Sequence, residues 1–291
     1  MFDTMHRRPL VGLVAAGLFT LVATGTAAAK GPEVAANDGL NSTYWTQVSV
    51  EYKANAYGQF ALAQMRLDQA LADKSWTALP GEQAAGYESL PTAVILDIDE
   101  TVLDNSPYQA WVVKTNGHYS SKTWTPFVES ETSRAIPGSL EFIKYAASKG
   151  VAIYYISNRK AHEEKATIGN LKKLGYPVAD DGSNVLVRGE KEEWKSSAKS
   201  PRRSAVGATH RVLLNIGDNL GDFTDESKGT PADRMAVYTK NQAMWGKQWI
   251  MIANPTYGSW EGAAIDNNWK ASNSEKRQMK LDKMDAWKGP E

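Results

Sequence analysis

The chain has 291 residues, which is enough for one large domain or two small ones. Its 33 basic and 33 acidic residues balance, so no strong field favours nucleic acid or an anionic membrane surface as a partner. The absence of cysteine excludes disulfides, thiolate zinc sites, a thiol nucleophile and a lipid-modified N-terminal cysteine.

Residues 1–29 are predicted to be a secretory signal peptide. An arginine pair gives a positive start, an apolar run follows from Leu10 to Val22, and cleavage is expected after Ala29. An uncleaved membrane anchor is the alternative, but the run contains two glycines and is shorter than the ~20 residues of a span. The mature protein is therefore expected to be exported, to the periplasm if the cell is Gram-negative, with no membrane anchor.

A loose leader and a long helix are predicted next. Residues 30–44 are largely polar and rich in glycine and asparagine, which is typical of an unstructured segment. From 45 to 75, apolar residues recur at helical spacing and predict an amphipathic helix. The end of the chain, 266–291, is predicted to be a charged tail.

Five short apolar runs predict strands over 92–98, 151–156, 184–187, 212–216 and 249–252. Helices are expected between them, for example over 162–174, where Gly175 is a stop signal. Strands that alternate with helices predict an α/β fold with a mainly parallel sheet and right-handed crossovers.

Polar residues lie at the ends of these strands or just beyond. They are Asp97 with Asp99, Ser157-Asn158-Arg159, Lys199, and Gly217-Asp218 with Asp222. Each group alone is a weak signal, since similar sequences form ordinary turns and helix caps. Their combination matters because open α/β sheets bind ligands at the carboxyl ends of their strands. Arg202 and Arg203, which follow Lys199, are interpreted as surface charges.

The residue types in this set suit phosphoryl transfer. One carboxylate of Asp97 and Asp99 can act as nucleophile or metal ligand, while the other serves as acid and base. A carboxylate nucleophile repels a phosphate, and Mg²⁺ with oxygen ligands, including Asp218, would offset that repulsion. Ser157 and Lys199 supply a neutral donor and a positive charge for the phosphoryl oxygens.

The motifs resemble those of a known family. Asp97-Ile98-Asp99-Glu100-Thr101 resembles motif I of the haloacid dehalogenase (HAD) superfamily, and Ser157, Lys199 and Gly217-Asp218 with Asp222 resemble motifs II, III and IV. The longer strings 95–108, 155–159 and 254–261 are similar to those of the bacterial class C acid phosphatases, in subfamily IIIB. The resemblance covers about residues 45–262.

This resemblance implies an exported, Mg²⁺-dependent acid phosphatase that acts on phosphomonoesters, with 5′-nucleotides as the expected substrates. The implied fold is a Rossmann-like core, from about 90–104 and 137–255, within a phosphatase domain over 45–265. A smaller, mostly helical cap would come from about 45–89, 105–136 and the C-terminal segment. A homo-oligomer stays open.

The resemblance also implies roles for individual residues. Asp97 would be the nucleophile and a Mg²⁺ ligand, while Asp99 would bind Mg²⁺ through its backbone carbonyl and act as acid and base. Asp218 would complete the metal site. The remaining roles are support of the site by Thr101 and Asp222, phosphoryl binding by Ser157 and Lys199, other substrate contacts by Asn158 and Arg159, and stacking on a nucleoside base by Trp124 and Tyr257. Core packing is the alternative role of both aromatic residues.

Other classes of function share parts of this pattern. A dehalogenase would use Asp97 but would not need Asp99 and Asp218 for a metal. A phosphotransferase would share every residue and differ only in the acceptor of the phosphoryl group. A noncatalytic phosphate- or nucleotide-binding protein would be expected to lack Asp97 or Lys199, and both are present.

Overall fold

The computed structural model of the chain describes residues 36–83 and 85–290. The predicted signal peptide therefore lies outside the described residues, together with the first part of the predicted leader. The strands within the described ranges are β1 (Thr92–Leu96), β2 (Leu103–Asp104), β3 (Arg134–Ala135), β4 (Ala152–Lys160), β5 (Val185–Arg188), β6 (Arg211–Gly217) and β7 (Trp249–Met251).

Five of these strands form a parallel sheet in the order β5-β4-β1-β6-β7. The first strand in the chain, β1, is the central one. Its residues are apolar and almost fully buried, as expected for a strand covered on both faces. In register, Ile95 lies opposite Tyr154 on one side and Asn215 on the other. The predicted α/β fold with a parallel sheet is confirmed.

Helices cover the sheet and extend beyond it. They are α1 (Leu40–Val48), α2 (Val50–Ala72), α3 (Ser106–Lys114), α4 (Ser121–Glu129), α5 (Ser139–Ser148), α6 (Glu164–Leu174), α7 (Ser200–Gly207), α8 (Leu220–Phe223), α9 (Pro231–Lys240), α10 (Ser259–Ala264) and α11 (Asn273–Asp282). None of the helices in the described ranges is both long enough and apolar enough to cross a membrane.

The predicted helix over 45–75 is two helices. Ser49 has an extended backbone and its hydroxyl accepts a hydrogen bond from the N–H of Tyr52 at 3.1 Å, so it caps α2 and separates it from α1. Helix α1 begins at Leu40, inside the segment predicted to be a loose leader. The boundary predicted at residue 44 is therefore too late in the chain.

Helix α2, which the sequence analysis assigned to the cap, packs on the main hydrophobic core. Its buried face carries Phe60 and Leu67, which lie in the main hydrophobic cluster with residues of β1 and β6. The helix also packs closely on the turn before α5, since a Cβ added at Gly138 would lie 3.0 Å from the Cα of Tyr57. Segment 50–72 therefore covers one face of the sheet.

A smaller helical unit is inserted after β1. Strands β2 and β3 pair antiparallel and form a two-stranded ribbon, and helices α3 and α4 lie between them in the chain. These two helices share a separate hydrophobic cluster built on Tyr108, Trp124 and Val128. This insert falls within the segment 105–136, for which the sequence predicted part of a cap.

Candidate active site

A tight loop after β1 presents the first two aspartates. The N–H of Asp97 continues the sheet by donating to the carbonyl of Ile216 at 2.9 Å. The carbonyl of Ile98 then accepts from three successive N–H groups, those of residues 101, 102 and 103, at 2.8–3.3 Å. Glu100 reverses the chain with a left-handed φ of 58°, which is uncommon for a residue with a side chain. The loop thereby keeps Asp97 and Asp99 at the carboxyl end of the central strand.

Three carboxylates lie close together, and two of them pair with one ammonium group. Asp97, Asp218 and Asp222 each offer an oxygen, and these oxygens all lie within 4.8 Å of one another. The Nζ of Lys199 pairs with Asp97 and, at 2.7 Å, with Asp222. Because the cluster holds three carboxylates and a single lysine, two of its negative charges remain uncompensated when all three are ionised.

The pKa values of the cluster reflect its burial first and its excess of negative charge second. Burial raises the pKa of Asp97 to about 7, although the charge of Lys199 opposes the shift. Burial, and then the charges of Asp222 and Asp97, raise the pKa of Asp218 well above its ordinary value. Burial alone would lower the pKa of Lys199, but the charges of Asp222 and Asp97 outweigh it and raise that pKa. A divalent cation with oxygen ligands fits this site, since it would supply the missing positive charge.

Neutral donors and a glycine hold the two aspartates that follow β6. Asp218 Oδ1 accepts from Thr101 Oγ1 at 3.1 Å, and its Oδ2 accepts from Asn254 Nδ2 at 2.9 Å. Each oxygen of this carboxylate is therefore held by a different segment of the chain. Asp222 accepts from the N–H of Asn219 at 2.8 Å. It packs directly on the strand, because a Cβ added at Gly217 would lie 2.3 Å from Asp222 Oδ2. The structure thus brings Thr101 and Asp222 to the cluster of three carboxylates.

Asp99 lies in a different set of contacts from Asp97. Its Oδ1 accepts from Arg159 Nη2 at 2.8 Å, from Arg159 Nε at 3.0 Å and from Asn105 Nδ2 at 2.7 Å. Its Oδ2 has only longer contacts, from Arg159 Nε at 3.3 Å and Ser157 Oγ at 3.4 Å. Asp99 is close enough to Asp97 for its charge to raise the pKa of that carboxyl group.

The residues that follow Ile156 lie within β4 and not after it, since the strand continues to Lys160. Ser157 and Arg159 point towards Asp99, as the alternation of a strand requires. The Arg159 guanidinium donates to Asp99 and, at 3.1 Å, to Thr167 Oγ1. The side chain of Arg159 is only 1% exposed. The contacts of Arg159 are thus with Asp99 and Thr167, and its predicted substrate-binding role stays a prediction.

Asn158 faces the other side of β4, and its predicted role in substrate binding also stays a prediction. Its Nδ2 donates to the carbonyl of Ser197 at 3.1 Å and its Oδ1 accepts from Arg202 Nη2 at 2.8 Å. Both ends of the amide are therefore used to join β4 to the segment that carries Lys199.

Arg202 and Arg203 are fully buried, which corrects their interpretation as surface charges. Arg202 donates to the carbonyl of Ser157, while Arg203 donates to Glu82 Oε1 at 2.8 Å and to the carbonyl of Asp222 at 3.1 Å. Both arginines lie in the first turn of α7, directly after Lys199. They anchor the start of this helix, and so the position of Lys199, to two other parts of the site.

The two predicted base-stacking residues have different environments. Trp124 is 8% exposed, packs against Tyr108 and lies 5.5 Å from the Arg159 guanidinium. Tyr257 is partly buried, and its hydroxyl donates to the carboxyl group of Glu100. Burial, and then the charge of Asp99, raise the pKa of Glu100 well above its ordinary value. Both rings therefore have structural contacts in addition to any contact with a ligand.

Three polar residues of the site had no role in the sequence analysis. Glu100 holds Tyr257, Asn105 holds Asp99, and Asn254 holds Asp218. All three occur in the strings that carry the family resemblance, beside residues that were given roles. Their position next to motif residues was the only signal, because each acts through a contact that is distant in the chain or internal to a loop.

Three comparisons identify known proteins to which this chain is similar. The family model described as HAD superfamily, subfamily IIIB (acid phosphatase), matches residues 22–260. The class C acid phosphatase of Bacillus anthracis is 39% identical with a TM-score of 0.75, over 86% of this chain and 97% of that one, and its tungstate-bound structure matches equally well. Acid phosphatase 1 of Solanum lycopersicum is 27% identical over 136 residues, 46% of this chain. That match spans 52% of the tomato protein, about half of its length.

Proposed function

Because the chain belongs to subfamily IIIB of the HAD superfamily, the acid phosphatases, we propose that it hydrolyses phosphomonoesters through a covalent phosphoryl intermediate on Asp97. The observation that carries this proposal is the buried cluster of three carboxylates and one lysine at the carboxyl end of the central strand. A nucleophile, a positive charge for phosphoryl oxygens and oxygen ligands for a cation are combined there.

In the first step, a carboxylate oxygen of Asp97 attacks the phosphorus atom of the substrate. The bond between phosphorus and the ester oxygen breaks, and the Asp99 carboxyl group gives its proton to the leaving alcohol. Asp99 suits this role because it follows Asp97 by two residues and is held firmly by Arg159 and Asn105. Asp97 is then esterified to the phosphoryl group.

In the second step, a water molecule attacks the phosphorus atom of the aspartyl-phosphate. Asp99, now a carboxylate, takes a proton from this water, and the bond between phosphorus and Asp97 breaks. Inorganic phosphate leaves, and both aspartates return to their starting states. Lys199 and Ser157 would bind the phosphoryl oxygens in both steps, where a fixed positive charge and a neutral donor stabilise developing negative charge.

Carboxylate oxygens of Asp97 and Asp218, with the backbone carbonyl of Asp99, would hold Mg²⁺. When bound, the cation would neutralise charge on the phosphoryl group and on the attacking carboxylate. The fit rests on the uncompensated negative charge of the cluster and on its all-oxygen donor set. Thr101 and Asn254 support this role by fixing the two oxygens of Asp218.

We propose 5′-nucleotides as preferred substrates and export as the fate of the mature chain. The preference would come from a nucleoside base stacking against Trp124 and Tyr257, and such stacking tolerates any base. Since Trp124 is only 8% exposed, the base would contact the part of the indole ring that remains open. Export rests on the signal-peptide pattern of residues 1–29.

Phosphate release by the purified mature protein tests the proposal. Nucleotides, sugar phosphates and an aryl phosphate would each be assayed with Mg²⁺ and with a chelator. We expect Mg²⁺-dependent release that Asp97→Asn abolishes, while Asp104→Asn, a matched change in an exposed ion pair with Arg134, retains it. Turnover by Asp97→Asn would refute the covalent mechanism. Equal rates for all substrates would refute the nucleotide preference alone, and transfer to added alcohol would reveal phosphotransferase activity.

A further inference from the structure

We propose that Arg159 and Asn105 are positioning residues that orient the Asp99 carboxyl group, so that Oδ2 is the oxygen that carries the proton in both steps. This inference rests on the proposed function, in which Asp99 is the acid and the base. It assigns Arg159 to the orientation of Asp99, where the sequence predicted contact with substrate.

The two oxygens of Asp99 have unequal partners. Oδ1 accepts three short hydrogen bonds from N–H groups, at 2.7–3.0 Å. A proton on Oδ1 would point an O–H towards these donors, which offer no acceptor. Oδ2 has only two long contacts, at 3.3 and 3.4 Å, and one of them is the hydroxyl of Ser157. The proton of the acid form therefore belongs on Oδ2.

Arg159 is held in place from several sides. Its side chain is 1% exposed, its Nη1 donates to Thr167 Oγ1 at 3.1 Å, and its guanidinium lies 5.5 Å from the Trp124 ring. Thr167 is itself fixed, since its hydroxyl donates to the carbonyl of Glu163 at 2.8 Å. The planar guanidinium, clamped between core and cap, can hold a carboxylate in one orientation.

Asn105 is oriented by a buried hydroxyl. Its Oδ1 accepts from Ser133 Oγ at 2.6 Å, so its Nδ2 is the end that faces Asp99. Ser133 and Asn105 stand at the two ends of the cap insert, next to β3 and β2 respectively. The contact that orients Asp99 is thus also a contact that closes the base of the cap.

The test is the dependence of rate on the leaving group. Arg159→Lys keeps the charge but cannot form the two-pronged contact with Asp99. A misplaced acid matters most when the alcohol leaves poorly, so kcat/KM should fall by about 10²-fold for aryl phosphates with basic leaving groups. The fall should be about tenfold or less for a nitrophenyl phosphate, whose leaving group needs little protonation. KM should change little.

Arg134→Lys is the matched control, because Arg134 makes a similar two-pronged contact with Asp104, at 3.1 and 2.7 Å, on the cap surface. It should lower all rates equally or not at all. If Arg159→Lys does not fold, Thr167→Val removes an acceptor of Arg159 and should produce the same selective loss, reduced in size. A uniform loss across the series, or a loss confined to KM, would overturn the proposal. A wild-type protein without phosphatase activity would instead refute the proposed function.

Discussion

The close contact between Gly217 and Asp222 leads to a sharp prediction. Gly217 is the last residue of β6, and a Cβ added there would lie 2.3 Å from Asp222 Oδ2 and 2.4 Å from Asp222 Cβ. Ordinary contacts begin at 3.4 Å, so Gly217→Ala requires Asp222 to move by about 1 Å. Because Asp222 pairs with Lys199 at 2.7 Å, this shift would weaken the contact that positions the lysine.

The expected cost has two parts. Overpacking of a buried site costs about 1–3 kcal/mol of unfolding free energy. A displacement of about 1 Å in groups that position a reaction can lower the rate about 10²-fold. We therefore expect Gly217→Ala to unfold at lower urea concentration and to lose about 10²-fold in kcat/KM for phosphomonoesters.

Urea denaturation and initial-rate assays on the same preparation would measure both effects. Gly58→Ala is the matched control, because Gly58 lies inside α2 and an added Cβ would meet no atom within 4 Å. That substitution should stabilise the protein by about 0.5–1 kcal/mol and leave the rate unchanged. A Gly217→Ala variant with wild-type stability and rate would refute the argument that this glycine makes room for Asp222.

Further predictions concern charge and hydrogen bonding. With chelator present, the raised pKa of Asp97 makes the folded state bind more protons than the unfolded chain. The free energy of unfolding should therefore fall as the pH rises from about 4 to about 7. Mg²⁺ should remove this fall, and urea midpoints that do not depend on pH would contradict it. Arg203→Met should cost about 1–3 kcal/mol by breaking its partly buried contact with Glu82, against less than about 1 kcal/mol for exposed Arg134→Met, as thermal unfolding would show. Tyr257→Phe, which deprives Glu100 of a donor, should cost about 1–3 kcal/mol in urea unfolding, and an unchanged midpoint would count against that contact.

The sheet was predictable because its strands are continuous apolar runs, and parallel strands buried on both faces carry that pattern. The far end of β4 was not, since residues 157–160 are polar and resemble a loop. They remain in the strand because Ser157 pairs with β5 and Arg159 reaches a buried carboxylate. The packing of α2 on the sheet was not predictable, because amphipathic spacing predicts a buried face but not the surface that covers it.

For the site, the local sequence indicated which residues would lie close together but not which contacts each residue would make. Asp97 and Asp218 were predictable because parallel strands bring their carboxyl ends to one edge of a sheet. Lys199 stands before α7 and not at the end of a strand, so its place in the set came from the family resemblance. The partner of Arg159 and the burial of Arg203 depend on contacts between segments that are distant in the chain. A lysine- and arginine-rich stretch is usually exposed, so composition alone pointed to the wrong environment for these arginines.

The order of strands in the sheet also affects how the chain folds during synthesis. Strand β1 is made first but lies at the centre, and its two neighbours, β4 and β6, are made much later. Each pairing closes a long loop, so formation of the sheet is expected to be slow. Until β6 leaves the ribosome, the apolar side chains of β1 have no complete set of partners and are prone to aggregation. The central strand is therefore expected to gain its full set of partners only after β6 has been synthesised.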